Sequence, residues 1–226
     1  MGSPGSAISW DASDAPEFVL VLSEKVGSGN DRECWRHPIN PALCVKVAKP
    51  EQERTQNDID YHYGRLLARR GVPTPHLTRV HGWVMTNRGR GLVVDLVRQP
   101  DGTPAPPLLE ALRSGLIDLA QAYELVVEAF DWLAANRVIL ADFGPDNFLV
   151  RQLPDGRFRL VFVDGLGARH FGMRYWARRT FGFLARKKSA QFRRRVLALL
   201  ASGFGAAAGG SPAVSCPDTS PDLSCR

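Results

Sequence analysis

Hydrophobic and polar positions repeat with different periods along this chain, and each change of period marks an element. Phe18–Leu22, reading FVLVL, is apolar and β-branched and predicts a first strand. Glycines follow at a turn within residues 23–37, and PALCVKVAK, residues 41–49, alternates as a second strand. This is a strand, glycine-rich turn, strand unit. From Pro50 the period lengthens to that of a helix ending before Gly71, with Gln56, Ile59, Tyr63, Leu66 and Leu67 on one face. TRVHGWVMT (78–86) and RGLVVDLVR (90–98), joined by NRGR, predict a hairpin. PPLLEALRSG (106–115) and DLAQAYELVVEAFDWLAANR (118–137) predict helices, the second long and amphipathic. NFLVRQLPDGRFRLVFVDG (147–165) predicts two strands around a Pro-Asp-Gly turn, and a basic helical segment follows. There is no internal repeat, and the order of elements reads as an α+β fold.

Composition changes this picture at the ends of the chain. Residues 1–16 are rich in Gly, Ser, Asp and Pro and read as a flexible leader; residues 205–226 are small and polar and read as a disordered tail. At 226 residues, 44% hydrophobic and 23% charged, the chain has ample length for a core. The net charge of +6 is unevenly placed: residues 165–217 hold ten Lys or Arg and no Asp or Glu, whereas residues 1–164 hold 18 basic against 21 acidic. Cys34, Cys44, Cys216 and Cys225 form no C-x-x-C pair, and the five histidines do not join them at ligand spacing, which argues against structural zinc. No run approaches the roughly 20 apolar residues that span a bilayer. The setting therefore reads as reducing and cytoplasmic, although MGSPGS formally fits an N-myristoylation pattern.

The chemistry concentrates in VILADFGPDNFLV, residues 138–150, where polar groups interrupt two apolar runs. Asp142 and Asn147 lie five apart, and Asp164 closes the following hairpin before Gly165. Phosphoryl transfer to a hydroxyl uses such a set: one carboxylate at the acceptor proton, with an amide oxygen and a second carboxylate holding Mg²⁺. The competing reading is three loop-capping Asx residues. Gly27 and Gly29 sit in a turn where backbone N–H groups can approach phosphate oxygens. Lys46 shares a strand face with Cys44 and Ala48 and needs an acidic partner from the next helix. At about 100° per residue, Asp60 falls about 75° and Asp58 about 125° from the centre of the apolar face, which favours Asp60.

GSGNDRECWRHPINPALCVKV, GWVMTNRGRGLVVDLV and LADFGPDNFLV…FVDGLG together resemble the protein-kinase-like fold and, within it, the YrbL family, named for a PhoP regulatory network protein. The resemblance spans roughly residues 20–170. It implies a bilobal protein: a strand-rich, nucleotide-binding N-lobe over 17–97 and a reduced helical C-lobe over 98–204, with ATP and Mg²⁺ between them. It also implies an adenine-contacting hinge from Asp95 to Arg98, with Asp95 and Val97 as contacts. In that scheme Asp142 orients or deprotonates the acceptor, Asn147 and Asp164 hold the metal, Lys46 steadies the phosphates and Gly27–Gly29 covers them. Departures are visible. Leu140-Ala141-Asp142 stands where kinases carry His-Arg-Asp, and Asp164-Gly165 where they carry Asp-Phe-Gly. The expected function is γ-phosphoryl transfer to an unknown hydroxyl acceptor; the alternative is a pseudokinase acting as a regulatory or scaffolding module. Residues 169–200, with Phe171, Tyr175, Trp176, Phe181 and Phe183 among the cations, suggest a third role on an anionic membrane surface. No nucleic-acid reading motif accompanies the charge.

Overall fold

A computed structural model describes residues 19–50, 56–140, 144–167 and 182–204 of the protein. The leader, the tail, Asp142 and the aromatic cluster at 171–181 lie outside the described residues, and the side chain of Phe183 is likewise not described. The fold is α+β. Five antiparallel strands, β1 (Lys25–Ser28), β2 (Arg32–Arg36), β3 (Leu43–Ala48), β4 (Val80–Thr86) and β5 (Gly89–Asp95), form a sheet in the order β1-β2-β3-β5-β4. The first helix, α1 (Gln56–Arg69), crosses between β3 and β4, and α2 (Leu108–Arg113), α3 (Leu119–Ala135), a second sheet of β6 (Phe148–Gln152) and β7 (Phe158–Phe162), and α4 (Gly182–Phe204) complete it.

The expected end of the first helix before Gly71 is met, residues 51–55 at its expected start lie outside the described residues, and α3 carries a capping box. Asp118 and Gln121 close a capping box at the start of α3, with the Gln121 N–H donating to Asp118 Oδ1 at 2.7 Å. Behind α1, Gly71 takes a φ of 63°. This is the left-handed conformation that ends a helix, and the Val72 N–H returns to the Leu67 carbonyl. The main core gathers Leu125, Val126, Ala129, Phe130 and Leu133 of α3 against Phe148, Val150, Leu160 and Phe162. Each of these Leu, Val and Phe side chains contributes roughly 1.5–3 kcal/mol on burial. The basic helix α4 joins this core through Phe192, Val196 and Leu200, while Arg193 pairs with Asp131 at 2.7 Å. Its apolar stripe is therefore spent internally.

Two expectations are corrected. Of the run Phe18–Leu22, the described part is extended but makes a single bridge, Leu20 to Thr86. Leu20 and Leu22 are 4% and 2% exposed, whereas Val19 and Val21 are 49% and 64% exposed. The alternation is that of a strand, but the Leu22 N–H goes to the Asn87 side chain at 2.9 Å, so no ladder propagates. Consequently the glycine turn does not join Phe18–Leu22 to the Cys44 strand. It joins β1 to β2, both inside the stretch taken as a turn, and the Gly29 N–H closes on the Arg32 carbonyl at 2.8 Å.

The segment after α1 ties the two sheets together. The Phe162 N–H donates to the His76 carbonyl at 2.8 Å, and the buried His76 ring lies with Nδ1 2.8 Å from the Leu160 carbonyl. That contact needs Nδ1–H, leaving Nε2 3.7 Å from Glu128. Burial holds the His76 pKa below the usual histidine range, against the Leu160 carbonyl and Glu128, which favour the charged ring. The unfolded chain therefore binds a proton that the folded one refuses. Stability from this group is complete above about pH 6.5 and is lost as pH falls towards the folded pKa, by about 1.4 kcal/mol per pH unit traversed. Urea midpoints should thus fall between pH 7.5 and 5.5, and His76→Gln, which keeps an N–H for Leu160, should flatten the difference. An unchanged pH difference in that variant rules the group out.

Candidate functional site

Alternation and register build one wall of the site. Cross-strand pairs Arg32–Ala48, Cys34–Lys46 and Arg36–Cys44 share a face of the sheet. That face looks towards α1, where Cys44, Leu92 and Val94 pack with Cys34, Tyr61, Val80 and Trp83. On the opposite face Gly91 leaves room for Val45: an added Cβ would lie 2.3 Å from Val45 Cγ1. The opposite face is apolar, built on Leu22, Trp35, Val45 and Val47, whereas Arg32 and Lys46 lie on the face towards α1.

Lys46 projects from this wall and donates through Nζ to the Val163 carbonyl at 2.5 Å, with Asp60 Oδ2 at 3.7 Å. Asp60 is therefore its helix partner. Asp58 instead faces Arg90 at 4.0 Å. Arg32 of β2 was not singled out from the sequence, and it is the most engaged side chain of the site. It is 6% exposed, and its Nη1 donates to Asn57 Oδ1 and meets Asp60 Oδ2, each at 2.8 Å. Its Nη2 pairs with Asp164 Oδ1. Asn57 closes the loop by donating to the Lys46 carbonyl at 2.8 Å. The parity argument that placed Cys44, Lys46 and Ala48 together would have found Arg32 once β2 was recognised as a strand.

Two cations and two carboxylates thus make a neutral cluster. Burial opposes ionisation of Asp164, but Lys46, Arg32 and the Gly165 N–H outweigh it and hold the carboxyl down at about 2. For Arg32, burial would lower the pKa, and Asp60 and Asp164 reverse this and raise it. Asp164 and Arg32 are thus both charged at neutral pH in the folded protein.

The second wall comes from the chain around Asp142. Its flanks run beside residues 163–167: Leu140 bridges Leu166, the Gly167 N–H donates to the Ile139 carbonyl at 2.9 Å, and the Val163 N–H donates to the Asn147 carbonyl at 3.0 Å. Asn147 ends a 3₁₀ turn, Pro145–Asn147, that begins beside Gly144. A Cβ on Gly144 would lie 2.9 Å from Asn147 Nδ2, so any side chain there would displace the Asn147 amide. Tyr63 of α1 fixes the same segment by accepting the Ile139 N–H at 2.7 Å. Asn147, just before β6, and Asp164, just after β7, are thereby brought to adjoining strand ends.

Among the described residues no three His, Cys, Asp or Glu groups gather to hold a metal. The hard-oxygen pair Asp164 and Asn147 nevertheless suits Mg²⁺, which keeps several waters. Asp164 Oδ1 already accepts from Arg32 and Gly165, so a cation at this carboxylate would share it with Arg32.

The other positions stand as follows. Gly27 and Gly29 have no positive φ, and a Cβ on either would meet nothing closer than 3.7 Å. The fold itself does not demand glycine there. The Gly29 carbonyl accepts Lys49 Nζ at 2.6 Å, which steadies the turn. Asp95 ends β5 with its carboxylate 2.6 Å from His81 Nε2 and its carbonyl near the Cys44 thiol. The Val97 carbonyl takes the Ala105 N–H at 2.9 Å, and its side chain packs with Ala105 and Val161. No described helix is long and apolar enough to cross a membrane.

The family described as PhoP regulatory network protein YrbL matches residues 19–198. Two relatives, each called "Uncharacterized protein YrbL", come from Escherichia coli (strain K12) and Shigella flexneri. Both are 28% identical over 155 residues, covering 66% of this chain and 74% of the relative.

Proposed function

The chain belongs to the PhoP regulatory network protein YrbL family, and on that premise we propose that it is a bilobal, protein-kinase-like protein that binds ATP between its five-stranded sheet and its helical half and transfers the γ-phosphoryl group to a hydroxyl acceptor. The observation that carries this reading is the Lys46–Asp60 pair set beside Val163 and Asp164. A buried lysine held by a helix acid, next to a carboxylate and an amide oxygen, is what a polyphosphate needs for charge neutralisation and alignment. Lys46 contacts phosphate oxygens. The Gly27–Gly29 turn lies over them with the Gly29 N–H held by the Arg32 carbonyl, and the close backbone approach that glycine allows accounts for glycines that the fold does not demand. The hinge at Asp95 and Val97 receives the base. With the Val97 carbonyl engaged, its contact runs through the N–H.

Asp164 and Asn147 are the groups that would hold Mg²⁺, whose chemistry is to neutralise charge on the phosphates. Asp142 orients the acceptor hydroxyl and takes its proton. The family's description names a PhoP regulatory network protein. A second reading, a pseudokinase that binds nucleotide as a regulatory module, is favoured by one observation: Arg32 already occupies an oxygen of Asp164. Exposed Arg194 and Arg195 leave a basic surface for an anionic membrane, by charge rather than insertion.

Calorimetric titration with ATP tests the nucleotide site. The parent protein should bind, and Lys46→Ala should weaken binding by about ten- to a hundredfold, the size of one charge-assisted hydrogen bond to phosphate. Absence of binding by the folded parent, or equal affinity in the variant, overturns the reading.

A further inference from the structure

The mechanism above leaves unused the most engaged side chain of the site. Arg32 sits at the inner end of the β1–β2 hairpin, three residues beyond Gly29, on the strand face shared with Lys46. Its guanidinium reaches Asn57, Asp60 and Asp164 at once, which a lysine ammonium on a flexible stem could not do with the same geometry. We infer that Arg32 is a built-in counter-charge at the polyphosphate end of the cleft, so that this site accepts a nucleoside triphosphate without a divalent cation, and such a cation must compete with Arg32 for Asp164.

The argument rests on the nucleotide reading and goes one step beyond it. Without Arg32, Lys46 would face Asp60 and Asp164 alone, a cluster of net negative charge that repels a triphosphate until a metal ion enters. With Arg32 the cluster is neutral before any ligand arrives. A guanidinium carries five N–H donors, and the contacts to Asn57, Asp60 and Asp164 do not exhaust them. The remainder can meet an anion entering where Asp164 opens towards solvent, its side chain 33% exposed. A divalent cation meets the opposite situation. Asp164 Oδ1 is held by Arg32 and Gly165, and displacing Arg32 would strand a buried cation. The same residue therefore favours the anion and disfavours the metal.

Equilibrium binding of ATP, in excess EDTA and in excess Mg²⁺, decides the matter on the full chain. The parent should bind in EDTA with an affinity within about tenfold of that in Mg²⁺. Arg32→Gln should lose about ten- to a hundredfold in EDTA and recover part of this loss when Mg²⁺ is added, so that binding becomes metal-dependent. Should Arg32→Gln fail to fold, Arg32→Lys, which keeps the charge but loses the fork's spare N–H donors, should show a smaller shift in the same direction, towards metal dependence. A parent that loses more than about tenfold on chelation overturns the inference, as does a variant weakened equally with and without metal. A folded parent that binds ATP under neither condition fails on the nucleotide reading itself, and this inference falls with it.

Discussion

Asp60→Ala should lower the free energy of unfolding by about 3–5 kcal/mol, the cost of leaving buried charge without its partner. The side chains of Arg32, Lys46 and Asp60 are at most 10% exposed, and Asp60 Oδ2 serves both cations. Removing the carboxylate leaves Asp164 as the one acid of the cluster for two positive charges. The control is its neighbour Asp58, 27% exposed and 4.0 Å from Arg90, where Asp58→Ala should cost at most about 1 kcal/mol. Urea unfolding followed by circular dichroism measures both. Comparable losses in the two variants would mean that the buried cluster is not what holds α1 to the sheet. The experiment also tests the angular argument made from the helix pattern, because only a true inward position shows the larger effect.

Asp142→Asn is expected to leave ATP affinity within error of the parent and to reduce turnover by about 10²–10⁴-fold, the usual range for loss of a general base. The described residues flanking Asp142 lie beside those next to Asp164: Leu140 bridges Leu166, and the Asn147 carbonyl accepts the Val163 N–H. The amide that replaces Asp142 has nearly the same shape but cannot take a proton from the acceptor. ATP consumption with and without candidate hydroxyl acceptors provides the measurement. Turnover that survives the substitution makes Asp142 a structural residue. A parent that binds ATP and never consumes it, whatever the acceptor, is the pseudokinase.

Much of this protein is legible in its sequence because it is local. The face of α1, the capping box of α3, the β4–β5 hairpin and the inward parity of Lys46 all follow from periods of 3.6 and 2 and from turn chemistry between near neighbours. The choice of Asp60 over Asp58 needed no more than helix geometry, and the Lys46 contact agrees with it. What only the tertiary structure decided depends on partners far away in the chain. FVLVL has the composition of a strand, yet a strand exists only where another backbone accepts its hydrogen bonds, and here Asn87 takes the Leu22 N–H, 65 residues away. The stretch read as one glycine turn is two strands because β3 lies beside Arg32–Arg36 as a template. Arg32 is one arginine among many in the sequence. It becomes the centre of the site because β2, α1 and the chain after β7 converge, bringing Asp60 and, 132 residues on, Asp164 to the same guanidinium. Burial raises the energetic stakes of that meeting, and burial is a property of the assembled fold that no spacing along the chain records.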